Sequence, residues 1–317
     1  MPLKQNQRKA IRDRHTHFGN SSGMIKLLSE IECIATKNTP VLLEGETGTG
    51  KSMLARKIHQ SSKRKGAFIS VNCATFSHHL LETELFGHVK GAFTGAKHAR
   101  SGLVSSAENG TLFLDEIADL PLDLQPKILH LLEDKVIRPV GSDIEHKTSA
   151  RIITATNLAL KKRVKQGLFR ADLYYRLSVI PFTVPPLRER PEDIAGLAQS
   201  FLEQLCEEHD MATSPLSASD LHALSRHNWP GNIRELRNHI ERCLLLKLPF
   251  SGEFSSNGTS KPVPLNLKTQ EKDLILNAIK DNDGNKETAA AVLGISRRTL
   301  DRKLKRWKEA PATVNIL

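Results

Sequence analysis

Short apolar runs alternate with amphipathic segments over the first 190 or so residues. Runs rich in Val, Ile, Leu and Phe predict strands, and apolar residues at helical spacing predict the helices between them. The predicted strands are Val41–Leu43, Ala67–Val71, Thr111–Leu114 and Ala150–Thr156, and the predicted helices are Met24–Ala35, Met53–Ser62 and Leu122–Leu132. Strands that alternate with helices favour a parallel sheet covered on both faces.

The strand pattern stops near Pro191, and only helical periodicity follows. Three helices, predicted over Ile194–His209, Ser219–Arg226 and Ile233–Leu246, form a small helical domain. We expect Asn232, directly before the third helix, to be its N-cap. Pro249–Pro264 is rich in Ser, Gly, Asn and Pro, which predicts a linker. A compact helical unit follows over Thr269–Trp307.

Composition narrows the class of protein only slightly. The 317 residues carry a net charge of +11, which favours a polyanionic partner, although a solvated basic surface explains it equally well. The four cysteines are scattered without metal-ligand spacing, which is typical of a reduced intracellular protein. No apolar run approaches the ~18 residues of a membrane span, and no secretory signal is visible, so we expect a cytoplasmic protein.

A glycine-rich segment between the first strand and the second helix fits the pattern G-x-x-x-x-G-K-[ST] in full. Its glycines let backbone N–H groups close around phosphates, and the following helix N-terminus adds partial positive charge. The lysine is placed to reach the β and γ phosphates of ATP, and the serine hydroxyl to bind magnesium. The predicted nucleotide-binding residues are Gly45, Glu46, Thr47, Gly48, Thr49, Gly50, Lys51 and Ser52.

Two acidic residues follow the third predicted strand. Asp115 is placed to hold magnesium, and Glu116 to orient and polarise the attacking water, because carboxyl ends of parallel strands meet at the edge where the phosphate loop lies. Phosphoryl transfer also needs positive charge on the γ-phosphate oxygens. Arg170 and Arg176 are candidates for this role, and surface arginines are the alternative.

The C-terminal unit has the pattern of a helix-turn-helix. A short helix, Lys286–Leu293, precedes a turn at Gly294–Ser296 and a strongly basic second helix. A solvated amphipathic helix is the alternative. The residues predicted to contact DNA are Ser296, Arg297, Arg298, Thr299, Arg302, Lys303, Lys305 and Arg306.

One further motif lies between the two nucleotide motifs: the segment Gly91, Ala92, Phe93, Thr94, Gly95, Ala96. It is identical to the GAFTGA signature of the bacterial enhancer-binding proteins, the AAA+ activators of sigma-54 RNA polymerase, and the chain resembles that family from His17 to Trp307. The resemblance implies an ATPase ring, expected to be a hexamer, that binds enhancer DNA. In such a ring the GAFTGA loop touches sigma-54.

The resemblance also implies a fold and a division of the chain. The fold would be an α/β AAA+ P-loop ATPase with helices on both faces of a parallel sheet, a helical lid and an all-α Fis-type helix-turn-helix. The expected parts are a basic arm (1–16), the α/β subdomain (17–190), the lid (191–248), a linker (249–268) and the DNA-binding domain (269–317).

Further site roles follow from the resemblance alone. Asn72 corresponds to an asparagine that holds the catalytic glutamate in an inactive pose. Asn157 corresponds to the sensor near the γ-phosphate, and Arg234 to the sensor arginine of the lid. Arg170 and Arg176 correspond to paired arginines that reach the neighbouring subunit's nucleotide.

Three positions depart from the family pattern, and the N-terminus is short. Ser52 replaces a usual glutamate, Asn109 a usual glycine, and Val89 an often charged residue ahead of the GAFTGA loop. The phosphate loop begins at Gly45, which predicts a stand-alone member controlled by a separate protein, by its expression level or by a partner subunit; a truncated gene is the alternative. Two rival functions are a repressor-like regulator whose ATPase core serves only assembly, and a general AAA+ remodeller.

Overall fold

The computed structural model describes residues 18–212, 215–252 and 285–292, together with residues 297, 300 and 301. The chain divides into two compact units, Met1–Phe254 and Ser255–Leu317.

The first unit contains nine strands and ten α-helices within its described residues. The strands are β1 (Val41–Glu44), β2 (Phe68–Asn72), β3 (Gly87–His88), β4 (Arg100–Ser101), β5 (Thr111–Asp115), β6 (Val136–Ile137), β7 (His146–Lys147), β8 (Arg151–Thr156) and β9 (Pro181–Thr183). The helices are α1 (Ser22–Ala35), α2 (Lys51–Ser61), α3 (His78–Phe86), α4 (Leu103–Ser106), α5 (Gln125–Glu133), α6 (Leu160–Lys165), α7 (Ala171–Leu177), α8 (Pro191–Glu208), α9 (Ala218–Arg226) and α10 (Asn232–Leu246).

Five strands form one parallel sheet in the order β2-β5-β8-β1-β9. The four predicted strands are confirmed, whereas β9 is an addition that the sequence pattern did not reveal. This edge strand has only three residues and begins with a proline, which is tolerated at an edge but gives a weak strand signal. Because the five strands of this sheet are all parallel, their carboxyl ends bring Asn72, Asp115 and the residue after Thr156 to one edge of the sheet.

Both faces of the sheet are covered, as the near-continuous apolar strands predict. Leu112 and Leu114 point into a core that includes α3, α5 and α7, whereas Phe113 points into a second core with α1 and α2. Each of these three side chains is fully buried, which contributes about 1.5–3 kcal/mol apiece.

Helices α8, α9 and α10 pack around a third core that includes Trp229, and together they form the lid. A capping box at Ser217 and Asp220 starts α9. The expectation that Asn232 caps α10 is wrong: the N-cap is Gly231, and Asn232 is the first helical residue, fully buried, with a φ of +55°. Its side chain has other partners, which are described below.

Two small antiparallel hairpins, β3–β4 and β6–β7, lie outside the main sheet. The two hairpins are in contact, because His88 of β3 forms an isolated parallel β-bridge with Val140, which lies between β6 and β7. No described helix is long and apolar enough to cross a bilayer.

In the second unit the described residues include one helix, α11 (Lys286–Val292), where the sequence predicts the first helix of the helix-turn-helix. Ala290 and Leu300 are buried, and Arg297 is exposed and paired with Glu287 and Asp301. The other residues predicted to contact DNA lie outside the described residues: Ser296, Arg298, Thr299, Arg302, Lys303, Lys305 and Arg306.

Candidate active site

The glycine-rich segment forms a loop between the end of β1 and the start of α2. Gly48 and Gly50 have φ values of +80° and +104°, which side chains with a Cβ rarely adopt. The loop therefore delivers its backbone directly to the N-terminus of α2, where unpaired N–H groups and the helix dipole favour an anion.

Lys51 lies at the centre of this phosphate loop and is only 6% exposed. Its Nζ donates to the carbonyl oxygens of Gly45 (2.7 Å) and Glu46 (3.0 Å). Burial lowers the pKa of Lys51, and the negative charges of Glu116 and Asp115 partly offset that effect. The ammonium group is thus held beside the loop and the acidic pair.

The acidic pair stands at the end of β5, beside the loop. Ser52 Oγ donates to Asp115 Oδ2 over 3.2 Å, so the two predicted magnesium ligands are neighbours. Glu116 has a φ of +51°, and burial raises the pKa of its carboxyl group. A carboxylate partly removed from water is a stronger base, which suits proton abstraction.

Asn157 connects the acidic pair to the phosphate loop. Its backbone N–H donates to Glu116 Oε2 (3.2 Å), and its Nδ2 donates to Thr47 Oγ1 (2.9 Å). The structure therefore brings this predicted sensor residue into contact with both motifs.

Asn72 has a different partner from the one that the resemblance implies. Its Oδ1 accepts from the backbone N–H of Ala74 (2.8 Å), and the strand register places it opposite Asp115. The carboxylate of Glu116 accepts from Asn157 instead. The restraint of Glu116 by Asn72 remains a prediction.

The lid lies against the phosphate loop at the start of α10. The backbone N–H of Ile233 donates to the Gly48 carbonyl (3.0 Å). A Cβ placed on Gly48 would lie 3.2 Å from the Cβ of Arg234, and the charge of Arg234 contributes to the lowered pKa of Lys51, after burial. The Cβ of Arg234, the predicted sensor arginine, therefore lies next to the phosphate loop.

Sequence reasoning missed the role of the side chain of Glu46. This residue belongs to the phosphate-loop motif, yet its carboxylate receives both terminal nitrogens of Arg188 and the amide of Asn232. The hydrogen bonds from Arg188 and Asn232 lower the pKa of Glu46 to about 2. No periodicity marks Arg188, which lies in a single 3-10 turn, Leu187–Glu189, ahead of the lid.

Arg170 and Arg176 lie at the two ends of α7, away from hydrogen-bonding contact with this nucleotide site. The exposed guanidinium of Arg170 pairs with Asp172 (2.7 Å), and Arg176 donates to the Leu132 carbonyl (3.5 Å). Within the described residues, neither arginine hydrogen-bonds to the phosphate loop or to the acidic pair of its own chain.

The segment Gly91–Ala96 forms the tip of the β3–β4 hairpin. A hydrogen bond from the Gly91 N–H to the Ala96 carbonyl (2.9 Å) closes it. Phe93 at the tip is 46% exposed, and its ring packs against His88 with centroids 5.1 Å apart. The loop thus presents an aromatic side chain and the exposed Thr94 to solvent.

The base of this loop is fastened to the neighbouring hairpin. The Val89 N–H donates to the Val140 carbonyl (3.1 Å), and the Val140 N–H donates to the Gly87 carbonyl (2.9 Å). A Cβ on Gly141 would lie 2.7 Å from the Cβ of Ala92 and 3.3 Å from a methyl of Val89. Val89, one of the departures from the family pattern, is therefore part of the contact between the two hairpins.

The residues at the site fit a magnesium nucleotide. Ser52 and Asp115 supply only hard oxygen donors, which magnesium prefers. In the part of the chain that the structure describes, no group of three or more His, Cys, Asp or Glu side chains could hold a different metal. The bare glycine loop at the helix start supplies the matching cradle for phosphates.

The fold and this site define a class of protein. A five-stranded parallel sheet, a phosphate loop, an acidic pair on a neighbouring strand and a helical lid that touches the loop are the features of an AAA+ P-loop protein.

Family profiles match three consecutive stretches of the chain. They are the Sigma-54 interaction domain (residues 17–183), the AAA+ ATPase lid domain (188–252) and the Fis family of bacterial regulatory proteins (266–307). The chain therefore belongs to the sigma-54-dependent transcription activators, with an AAA+ domain and a helix-turn-helix DNA-binding domain.

Individual relatives agree with this assignment. The chain is 42% identical over 314 residues to the regulatory protein AtoC of Escherichia coli K12, which covers 93% of this chain and 68% of AtoC. It is 41% identical over 302 residues to the formate hydrogenlyase transcriptional activator FhlA of the same organism, covering 91% and 44%. The crystal structure of NtrX from Brucella abortus in complex with ATP is similar, with a TM-score of 0.72 at 33% identity, covering 96% of this chain and 72% of NtrX.

Proposed function

We propose that the protein binds enhancer DNA, assembles into a ring, expected to be a hexamer, and uses ATP hydrolysis to remodel sigma-54 RNA polymerase from the closed to the open complex. The observation that carries this proposal is the exposed Phe93–Thr94 tip on a hairpin of the same domain that holds the phosphate loop. An exposed aromatic at a loop tip suits a protein contact that forms and breaks.

The geometry of the site supports ATP hydrolysis. Lys51 already lies beside the loop, where its ammonium group can exchange the Gly45 and Glu46 carbonyls for phosphate oxygens. Glu116 acts as the base that takes the proton of the attacking water, and its raised pKa strengthens it for that role. Asn157, in contact with Thr47 and Glu116, senses the γ-phosphate between them.

Magnesium, held by Ser52 and Asp115, would neutralise charge on the phosphate oxygens. The chain's own contribution is to keep these two oxygen ligands together at the start of α2 and the end of β5. Their hydrogen bond also fixes the position of Ser52 relative to the acidic pair.

Arg170 and Arg176 are proposed to act on the nucleotide of a neighbouring subunit. Among the described residues, neither hydrogen-bonds to the nucleotide site of its own chain, and the exposed Arg170 can exchange Asp172 for a phosphate. This arrangement would make hydrolysis depend on ring assembly.

DNA binding is assigned to the second unit. The basic residues predicted around 296–306 would contact bases and phosphates, and the family profile over residues 266–307 supports this placement. In that event Arg297 would give up its exposed pairs with Glu287 and Asp301.

The decisive test is Thr94→Ala in the full chain. This exposed side chain is remote from the phosphate loop along the chain, so we expect ATP turnover and DNA binding to persist while sigma-54-dependent transcription is lost. Thr83→Ala, the same substitution at a half-buried threonine of α3 outside the loop, is the matched control and should leave transcription intact. Undiminished transcription by Thr94→Ala would overturn the assignment of the loop.

A further inference from the structure

Four consecutive residues of the phosphate loop are held by the lid or by the segment that leads into it. The contacts are Glu46 with Arg188 and Asn232, the Thr47 carbonyl with the Asn232 amide (3.1 Å), the Gly48 carbonyl with the Ile233 N–H (3.0 Å), and the Thr49 carbonyl with the buried guanidinium of Arg190 (2.9 Å). The loop is therefore held from outside at four consecutive residues, in addition to its own internal hydrogen bonds.

Asn232 is the centre of these contacts. Its side chain is fully buried, and its φ of +55° lies in a region that non-glycine residues seldom occupy. Its Oδ1 accepts from the Leu187 N–H (2.7 Å), while its Nδ2 donates to the Thr47 carbonyl and to Glu46 Oε2 (3.2 Å). One amide thus joins the start of the lid to the loop.

Arg188 completes the arrangement from the exposed side. Its two terminal nitrogens donate to the two carboxylate oxygens of Glu46 over 2.8 and 2.6 Å, the fork geometry of a bidentate pair. An unpaired carboxylate in a phosphate loop would repel a triphosphate. Arg188 neutralises that charge and directs the carboxylate of Glu46 towards the lid.

We propose that Glu46, Arg188 and Asn232 form a lid latch, a set of positioning residues that holds the phosphate loop in its triphosphate-binding conformation. When the latch opens, the loop loses its outside contacts at Glu46 and Thr47, which help to place Lys51 and the loop amides. The identity of the ligand rests on the proposed ATP-binding function, whereas the effect of the latch on the loop does not.

The first test needs no nucleotide. Arg188→Gln and Glu46→Gln remove the two ends of the exposed pair, and hydrogen exchange of the amides in residues 45–50 is measured in the nucleotide-free full chain. We expect exchange to rise about three- to fivefold in both variants, the size expected for the loss of a good exposed pair. Arg237→Gln, which removes exposed lid pairs with Glu208 and Glu241, is the matched control and should leave the loop unchanged.

The second test measures the affinity for a fluorescent ATP analogue. Arg188→Gln should weaken binding about three- to fivefold, and Arg188→Lys should recover only part of the loss because it keeps the charge without the fork. The double variant of Glu46→Gln and Arg188→Gln should bind no more weakly than the weaker single variant, since both changes open the same latch. All variants should unfold within about 4 °C of the wild-type temperature, because the pair is about half exposed and contributes little to the stability of the whole domain.

The outcomes separate the latch from the proposed function. Unchanged exchange in residues 45–50, or additive losses of affinity, would overturn the latch even if ATP binding is intact. A wild-type chain that binds no ATP analogue would overturn the proposed function, while the exchange measurement still decides the latch.

Discussion

The contact between the phosphate loop and the lid leaves no room for a methyl group at Gly48. A Cβ there would lie 2.3 Å from the Gly231 carbonyl oxygen, a backbone atom that cannot rotate away. Gly48→Ala also has to adopt a φ of +80°, which costs about 1–2 kcal/mol for a residue with a Cβ. Moving the lid breaks the Ile233–Gly48 hydrogen bond, worth about 0.5–1.5 kcal/mol, so we expect a loss of about 1.5–3.5 kcal/mol in the free energy of unfolding.

Gly91→Ala separates strain from collision. Gly91 has nearly the same φ, +83°, but a Cβ there meets nothing within 4 Å. This control should therefore lose at most the strain of about 1–2 kcal/mol. Urea unfolding measures the stability of both variants, and a fluorescent ATP analogue measures their nucleotide binding. Gly48→Ala should be the less stable variant and should lose binding, whereas Gly91→Ala should keep it. Equal destabilisation of the two variants, with binding intact in both, would refute the close docking of the lid.

Three further predictions concern single carboxylates. Glu116→Gln should lower ATP turnover about 10²–10⁴-fold while binding of the ATP analogue persists, and unchanged turnover in the variant would contradict the role of Glu116 as base. Because burial raises the pKa of Glu116, acidification should lower wild-type turnover at a pH above ~4.3, the usual pKa of a glutamate. Asp193→Ala should lower the free energy of unfolding in urea by about 2–4 kcal/mol, because buried Asp193 accepts hydrogen bonds from the backbone N–H groups of Asn20 and Ser21, which would lose their partner. A decrease below about 0.5 kcal/mol would contradict this role. The pairing of Glu46 lowers its pKa to about 2 in the folded chain, so the pairing stabilises the fold fully at any pH above the pKa of Glu46 in the unfolded chain and is lost as the pH falls towards 2. The free energy of unfolding of the wild type should therefore fall more steeply over that pH range than that of Glu46→Gln. Parallel curves of stability against pH would contradict the pairing.

The parts of the site that sequence could predict are those in which local chain geometry dictates the chemistry. A strand, a glycine-rich turn and a helix start occur together at Gly45–Ser52, and the structure places Ser52 within hydrogen-bonding distance of Asp115 as that reasoning requires. Parallel strands force their carboxyl ends to one edge, so Asp115 could be placed there from the strand pattern, whereas the role of Asn157 came from the resemblance to the family.

The lid contacts could not be predicted, because they depend on long-range packing between parts of the chain far apart in sequence. Asn232 has the composition of an N-cap, but the docking of α10 on the phosphate loop buries its side chain and gives it tertiary partners. Arg188 has no periodic signal, and its partner Glu46 lies 142 residues away. The strand Pro181–Thr183 was missed because only its pairing with β1 makes it a strand.

The connectivity of the chain links the Gly91–Ala96 loop directly to the edge of the sheet that carries the nucleotide site. Asn72 ends β2 opposite Asp115, and the chain then runs through α3 directly into β3 and Gly91–Ala96. Helix α3 is about 13 Å long and is anchored by the fully buried Leu81 and Leu85, so we expect it to move as one rigid element. We therefore expect a displacement at the nucleotide edge to reach the loop through α3, and to reach the second hairpin through the Val89–Val140 hydrogen bond. This bond belongs to the backbone, so the connection between the hairpins does not depend on which side chain occupies position 89.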